Sequence, residues 1–201
     1  AGFPGVDGGY GAPLISYDVQ PGTWFVQVSE ADGASGPELS ATVEVQAFDL
    51  GPVVDRPEEE PNDALIDWQD LGLLSAGEYL LSGTAQTAGH DADTGNLNAD
   101  LDVFRFQVAE DTIARFTLDW PGTDEDFDAV LHDDSQGTNL GFDSNTSVSG
   151  TALANTEQPQ AAVFGLEGGT PYVIELGNWA GTDGAAWTLA IKVLPGAWPE
   201  P

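Results

Sequence analysis

The sequence predicts an all-β protein: an antiparallel β-sandwich, jelly-roll-like, preceded by a partial second copy of the same sandwich. Two patterns predict the sandwich. Short runs of alternating apolar and polar residues recur with turn signals at roughly 8–12-residue spacing, and no long helical period interrupts them. The 25 glycines and 13 prolines fall mostly between these runs, where tight turns need them. A third pattern predicts the partial copy. Trp24–Val45 lies over Tyr172–Val193 without a gap, setting Trp24 on Tyr172, Val26 on Ile174, Val28 on Leu176, Leu39 on Trp187 and Val43 on Ile191. Gly33 and Gly36 fall on Gly181 and Gly184. Each copy reads as strand, Gly-rich turn, strand, a hairpin that alone in water is marginal.

Taken in order, residues 1–13 are Gly- and Pro-rich and read as an extended leader. Leu14–Val19, Thr23–Ser29 and Ser40–Phe48 read as strands of the partial copy, which occupies 1–50. Residues 51–63 carry Pro52, Pro57, Pro61 and a run of acids, the composition of a linker. The complete sandwich spans 64–201. It begins with one or two helical turns over Ala64–Leu71. Strands follow at Tyr79–Thr84, Asp102–Val108, Thr112–Asp119, Phe127–His132, Ala161–Leu166, Pro171–Leu176 and Ala186–Val193. No signal peptide and no initiating Met are read, so the chain is a processed product or a piece of a longer one.

Charge narrows the function. Asp and Glu total 34 against 4 Lys plus Arg, a formal net charge of −30. Phosphate binding needs clustered Lys and Arg, so nucleic acid is excluded as a partner and an anionic membrane surface is disfavoured. No apolar run approaches the ~20 residues of a membrane span. Self-repulsion on this scale needs neutralising, by bound divalent cations or by high external salt. Cysteine is absent, which removes disulfides and thiolate zinc sites. The two histidines and the lack of a nucleophile motif leave little for catalysis; the chain reads as a non-enzyme.

Four segments in order carry a family resemblance. They are Glu59-Glu60-Pro61-Asn62-Asp63-Ala64, Asp100-Leu101-Asp102-Val103-Phe104-Arg105-Phe106, Asp126-Phe127-Asp128-Ala129-Val130-Leu131 and Leu166-Glu167-Gly168-Gly169-Thr170-Pro171-Tyr172. Together they resemble the bacterial pre-peptidase C-terminal domain family over about two thirds of the chain. The resemblance implies a non-catalytic β-sandwich of a secreted protein. It also implies calcium at the linker, as in relatives that bind collagen, through a Glu-x-Glu-x-Asn-Asp pattern and later aspartates. Here that pattern is Glu58, Glu60, Asn62 and Asp63, closed by Asp100 and Asp102, with Asp91 and Asp93 competing for the same role. Such a set suits a hard cation, which takes 6–8 oxygens at ~2.3–2.6 Å; without one it is a solvated acidic linker.

Asp124, Asp126 and Asp128 form a second candidate. At i, i+2 and i+4 of a strand they share one face: a second metal site, or a turn and a solvated strand face. Among the aromatics, Trp24, Tyr172 and Trp187 read as core. Trp68, Trp120, Trp179 and Trp198 lie at turns or ends; Trp198 is expected to anchor an interface between subunits, and Trp24 belongs to the partial copy that would form it.

These readings combine into an extracellular or cell-surface, calcium-stabilised structural subunit. Its partners are expected to be neighbouring copies, joined head to tail into a filament or surface layer by strand complementation. The alternative is an accessory module of a secreted hydrolase that holds protein or polysaccharide substrate, including extracellular matrix.

Overall fold

The computed structural model of the chain describes residues 23, 25, 47–63, 67–86, 100–121, 125–133, 138–139 and 160–196. The chain divides into two compact units, 1–49 with 201, and 50–200. Of the first unit only Thr23, Phe25 and 47–49 are described, so the partial copy, Trp24 included, lies outside the described residues, as does Trp198.

Ten strands build the second unit: β1 (Val54–Pro57), β2 (Gln69–Leu74), β3 (Gly77–Ala85), β4 (Leu101–Val108), β5 (Thr112–Asp119), β6 (Asp126–Asp133), β7 (Thr138–Asn139), β8 (Gln160–Leu166), β9 (Pro171–Ala180) and β10 (Ala185–Leu194). They form two five-stranded sheets, ordered β1-β3-β10-β5-β8 and β2-β4-β9-β6-β7. The β-sandwich expected from the sequence is what forms. It departs from that expectation in one respect, because the sheets are mixed: β1 runs parallel to β3, and β2 parallel to β4.

Alternation explains the long strands. In β10, Trp187, Leu189, Ile191 and Val193 are buried and the residues between them are more exposed. In β4, Phe104, Phe106 and Val108 enter the core from the opposite sheet. The two layers interlock through aromatic rings. Between the layers Phe104 meets Trp187 edge-on at 5.7 Å between centroids and Phe106 meets Phe116 at 6.3 Å; within one sheet Phe106 stacks on its β9 neighbour Tyr172 at 5.7 Å. Trp187 and Tyr172 are core residues, as their apolar positions predict. Trp120 is also buried, its indole N–H donating to the Glu125 carbonyl at 3.1 Å.

β1, β2 and the two-residue β7 are the strands that the sequence hides. β1 lies inside the Pro-rich segment expected to be a linker, and all four of its residues are exposed, so no burial period marks it. Proline is tolerated there because Pro57 ends an edge strand. β2 replaces the expected helical turns, with residues 64–66 outside the description. Its register shifts between Asp70 and Gly72. Gly72 adopts φ 73°, and its N–H donates to Asp70 Oδ1 at 2.9 Å. That bulge breaks the alternation that would have revealed the strand.

Candidate metal centre

The segment leaving β1 folds over one end of the sandwich and is fixed there by main-chain bonds. Glu58 N–H donates to the Ser82 carbonyl at 2.9 Å, extending the β1–β3 ladder by one residue. Val103 N–H of β4 donates to the Asn62 carbonyl at 3.0 Å. The segment is thereby tied to one strand from each sheet. Gln69 ties it to the start of β2 as well: its Oε1 accepts from Glu59 N–H at 2.9 Å and its Nε2 donates to the Pro57 carbonyl at 3.0 Å.

This anchoring gathers the five carboxylates among the six residues expected to hold calcium. The carboxylates form two triads that share Glu60: Glu58, Glu60 and Asp102, and Glu60, Asp63 and Asp100. Within each triad the ligand oxygens lie within 4.8 Å of one another. Oxygens on opposite sides of a calcium ion are separated by about 4.6–5.2 Å, twice the ~2.3–2.6 Å bond length, so each triad has the dimensions of part of one shell. Asn62 completes the set, with its N–H donating to Glu60 Oε2 at 3.2 Å. Of the competing residues, Asp91 and Asp93 lie outside the described residues.

The two triads differ in surroundings. Asp102 has the same parity on β4 as Phe104 and Phe106 and is fully buried, as is Asn62. Among the described residues neither Asp102 oxygen has a hydrogen-bond partner, nor does either polar atom of the Asn62 side chain, nor Glu58 Oε1. Burial, above all, pushes the Asp102 carboxyl up to about 10; Glu58 and Asp100 push the same way, and the Trp187 indole works weakly against them. Asp100 is raised to about 6, again by burial first, partly offset by the Gln86 N–H, with Asp63 and Glu60 adding to the rise. Glu60 and Asp63 are exposed.

The residues fit a hard divalent cation. An orphaned buried polar group costs about 1–3 kcal/mol, and here Glu58 and Asp102, both with such atoms, stand in one triad. A cation would satisfy Asp102, Glu58 and Asn62 together and reverse the repulsion that raises Asp102. The donor set is all oxygen, with no imidazole, which suits calcium or magnesium rather than zinc.

Residues of β3 that carried no signal in the sequence build the opposite wall. Thr84 N–H donates to Glu58 Oε2 at 3.0 Å. Gln86 donates its main-chain N–H to Asp100 Oδ2 and its side-chain Nε2 to Glu60 Oε1. Gly83 is bare because it must be: an added Cβ would overlap Glu58 Oε2 and lie 2.6 Å from Trp187 Cζ2. A glycine inside an apolar strand is the one mark of this approach that the sequence carries.

The second candidate is different. Asp126 and Asp128 are buried rather than solvated, while Asp124 lies outside the described residues. Asp126 is raised to about 6 by burial alone. Its N–H donates to Asn178 Oδ1 at 3.4 Å. Among the described residues no third acidic or imidazole group joins them in a triad. His132 lies 3.6 Å from Glu175, Nε2 to Oε2.

No family model and no curated protein matches the chain. Solved structures do. One is the pre-peptidase C-terminal domain of a collagenase from Bacillus anthracis, 21% identical, covering 68% of this chain and 98% of that one with a TM-score of 0.37. Another is PliG from Salmonella Typhimurium, a periplasmic inhibitor of g-type lysozyme, 12% identical, covering 70% of this chain and 97% of that one with a TM-score of 0.33. PliG from Aeromonas hydrophila is 10% identical, covering 70% and 96%, with a TM-score of 0.31.

Proposed function

We propose that the chain is a non-catalytic β-sandwich module that works outside the cell, with calcium clamping the Glu58–Asp63 segment to β3 and β4. One observation carries this reading: Asp102 and Asn62 are fully buried, with no partner for any side-chain polar atom, beside two carboxylate triads that share Glu60. Calcium is favoured over magnesium by ligand supply. Five carboxylates and a carboxamide suit a shell of ~6–8 oxygens, whereas magnesium keeps several waters and uses one or two carboxylates. Extracellular modules bind calcium at ~10⁻⁴–10⁻³ M, and the medium supplies it at that level.

Head-to-tail assembly is the finer part of the proposal, and the repeat at Trp24–Val45 is its support. Of the four described edges of the sandwich, β1 and β2 are poor templates for it. β1 is four residues long with Asp55, Arg56 and Pro57 on it, and the Gly72 N–H of β2 is already taken by Asp70.

The accessory-module alternative also has a supporting feature. A groove of about 490 Å³ lies between β1 and β2, lined by Asp55, Arg56, Glu59, Trp68 and Asp70 among others. Arg105 lies over the Trp68 ring at 5.3 Å. A half-exposed indole among hydrogen-bonding side chains suits a hydroxyl-rich polysaccharide.

Calorimetry with calcium tests the clamp: binding heat is expected, and its loss in the double variant Glu60→Ala, Asp63→Ala. No heat with the unaltered protein sinks it. Sedimentation of the full chain and of residues 50–201 tests assembly, which fails if both sediment as monomers. Retention on insoluble chitin or collagen by the monomer supports the alternative.

A further inference from the structure

The calcium reading leaves one polar side chain of the junction without a role. Gln86 directly follows β3 and is exposed, yet both its N–H groups are committed, to Asp100 and to Glu60. It spans two members of the outer triad, and Glu60 is the carboxylate common to both triads. A carboxamide has a donor on one side and an acceptor oxygen on the other, and rotation about its last torsion exchanges them in place. The donor suits a carboxylate alone. The oxygen suits a cation held by that carboxylate. Around calcium, neighbouring ligand oxygens stand roughly 3 Å apart, given bonds of ~2.3–2.6 Å. That is the span of an N–H···O hydrogen bond. A group hydrogen-bonded to Glu60 Oε1 beside Asp100 therefore stands where a further ligand oxygen belongs.

We propose that Gln86 is a ligand of the cation, its Oε1 turned to the ion beside Glu60, Asp63 and Asp100. The proposal rests on the calcium reading above. It adds a contribution from β3, so that the shell draws on three separate stretches of chain: the Glu58–Asp63 segment, the start of β4, and the end of β3. Buried Asn62 and Asp102, unpartnered at the inner triad, are the independent sign that the acids form a site rather than a solvated cluster.

Terbium(III) is the probe. It occupies calcium sites, and Trp187, packed against the Gly83 position beside Glu58, sensitises its emission. Emission lifetimes in H₂O and D₂O count the waters on the ion. Gln86→Leu is expected to gain one bound water and to weaken calcium binding about tenfold. Gln86→Glu keeps an oxygen at the position and is expected to gain no water and to bind calcium at least as tightly as the unaltered protein. An unchanged water count in Gln86→Leu, with equal or tighter calcium binding, overturns the proposal and makes Gln86 a donor that the ion displaces. Weaker binding in Gln86→Glu overturns it too, and this variant decides the matter should Gln86→Leu fail to fold. Failure of the unaltered protein to bind either ion overturns the calcium reading itself, a result distinct from both.

Discussion

Two sets of buried carboxylates stand at the same end of the sandwich and differ in what presses on them. Asp102 of β4 pairs with Leu176 of β9, and Asp128 of β6 pairs with the next residue, Gly177. Asp102 shares the parity of Phe104 and faces between the sheets; Asp128 has the opposite parity from Phe127 and Ala129 and faces away from the core. Asp126, beside it in sequence, is raised by burial alone. Asp102 is raised by burial, by Glu58 from a separate part of the chain, and by Asp100 two residues before it. The difference is instructive. A proton suffices for a carboxyl that is only desolvated. Carboxylates brought together from distant segments are the arrangement that a shared cation, as proposed above, would relieve.

Removing calcium tests this contrast with the largest expected effect. At a calcium concentration near one hundred times Kd, binding stabilises by about 2.7 kcal/mol, which raises Tm by roughly 5–10 °C in a domain of this size. Chelator should reverse that shift in the unaltered protein. Asp102→Asn should abolish the difference between calcium and chelator, whereas Asp128→Asn should preserve it. Equal melting temperatures with and without chelator would erase the distinction between the two sets.

The pH dependence of stability sharpens it. In chelator, the Asp102 carboxyl titrates near 10 in the fold and near 3.8 in the unfolded chain, and Asp100 near 6 against 3.8. The folded form then holds more protons between these limits. Stability is greatest below about pH 4 and falls as pH rises through 6 and towards 10, by at most about 1.4 kcal/mol per pH unit for each group. Saturating calcium favours the ionised carboxylates and depresses their folded values, so stability should rise with pH over the acid side of that window. Urea denaturation from pH 4 to 8 should give slopes of opposite sign in the two media. Slopes of the same sign would mean that no cation takes the place of the proton at Asp102.

Much of this was legible in the chain. Seven of the ten described strands were expected from the chain, and their limits fall within a few residues of the expected ones; Thr112–Asp119 coincides with β5. The six acidic and amide residues at the junction were named from the family resemblance that their two short segments carry, with Asp91 and Asp93 competing for two of the places. What could not be read was the matter between them. β1 buries nothing and β2 carries a bulge, so neither shows a period. Gly83, Thr84 and Gln86 act through space left free, through a main-chain N–H and through an amide, and none of these has a spacing signature. The burial of Asp126 was likewise invisible, since an Asp-x-Asp alternation reads the same on a wet face as on a covered one.

Gly83→Ala asks how far the inner triad depends on its wall. The new methyl would strike the Glu58 carboxylate and the Trp187 ring together. Overpacking of this kind costs about 1–3 kcal/mol. Glu58 can move and the ring cannot, because Trp187 is held edge-on by Phe104. The expected outcome is therefore a larger loss of calcium affinity in titration calorimetry than of stability in chelator. A variant that binds calcium normally would show that Glu58 is not a ligand.

The smallest effect is expected at the other set. At pH 7 Asp126 is ionised, since its carboxyl is raised only to about 6, and it is almost wholly buried with Oδ1 lacking a partner. Asp126→Asn removes that charge and leaves the main-chain N–H free to donate to Asn178 as before. Stability at pH 7 should rise by about 1 kcal/mol or less, the size of a relieved desolvation cost. The gain should vanish below about pH 4, where the native carboxyl is neutral in both states. It should also be the same in calcium and in chelator. If Asp126→Asn instead destabilises the protein in calcium alone, Asp126 binds an ion after all, and one end of β9 carries the same chemistry on opposite faces of one sheet.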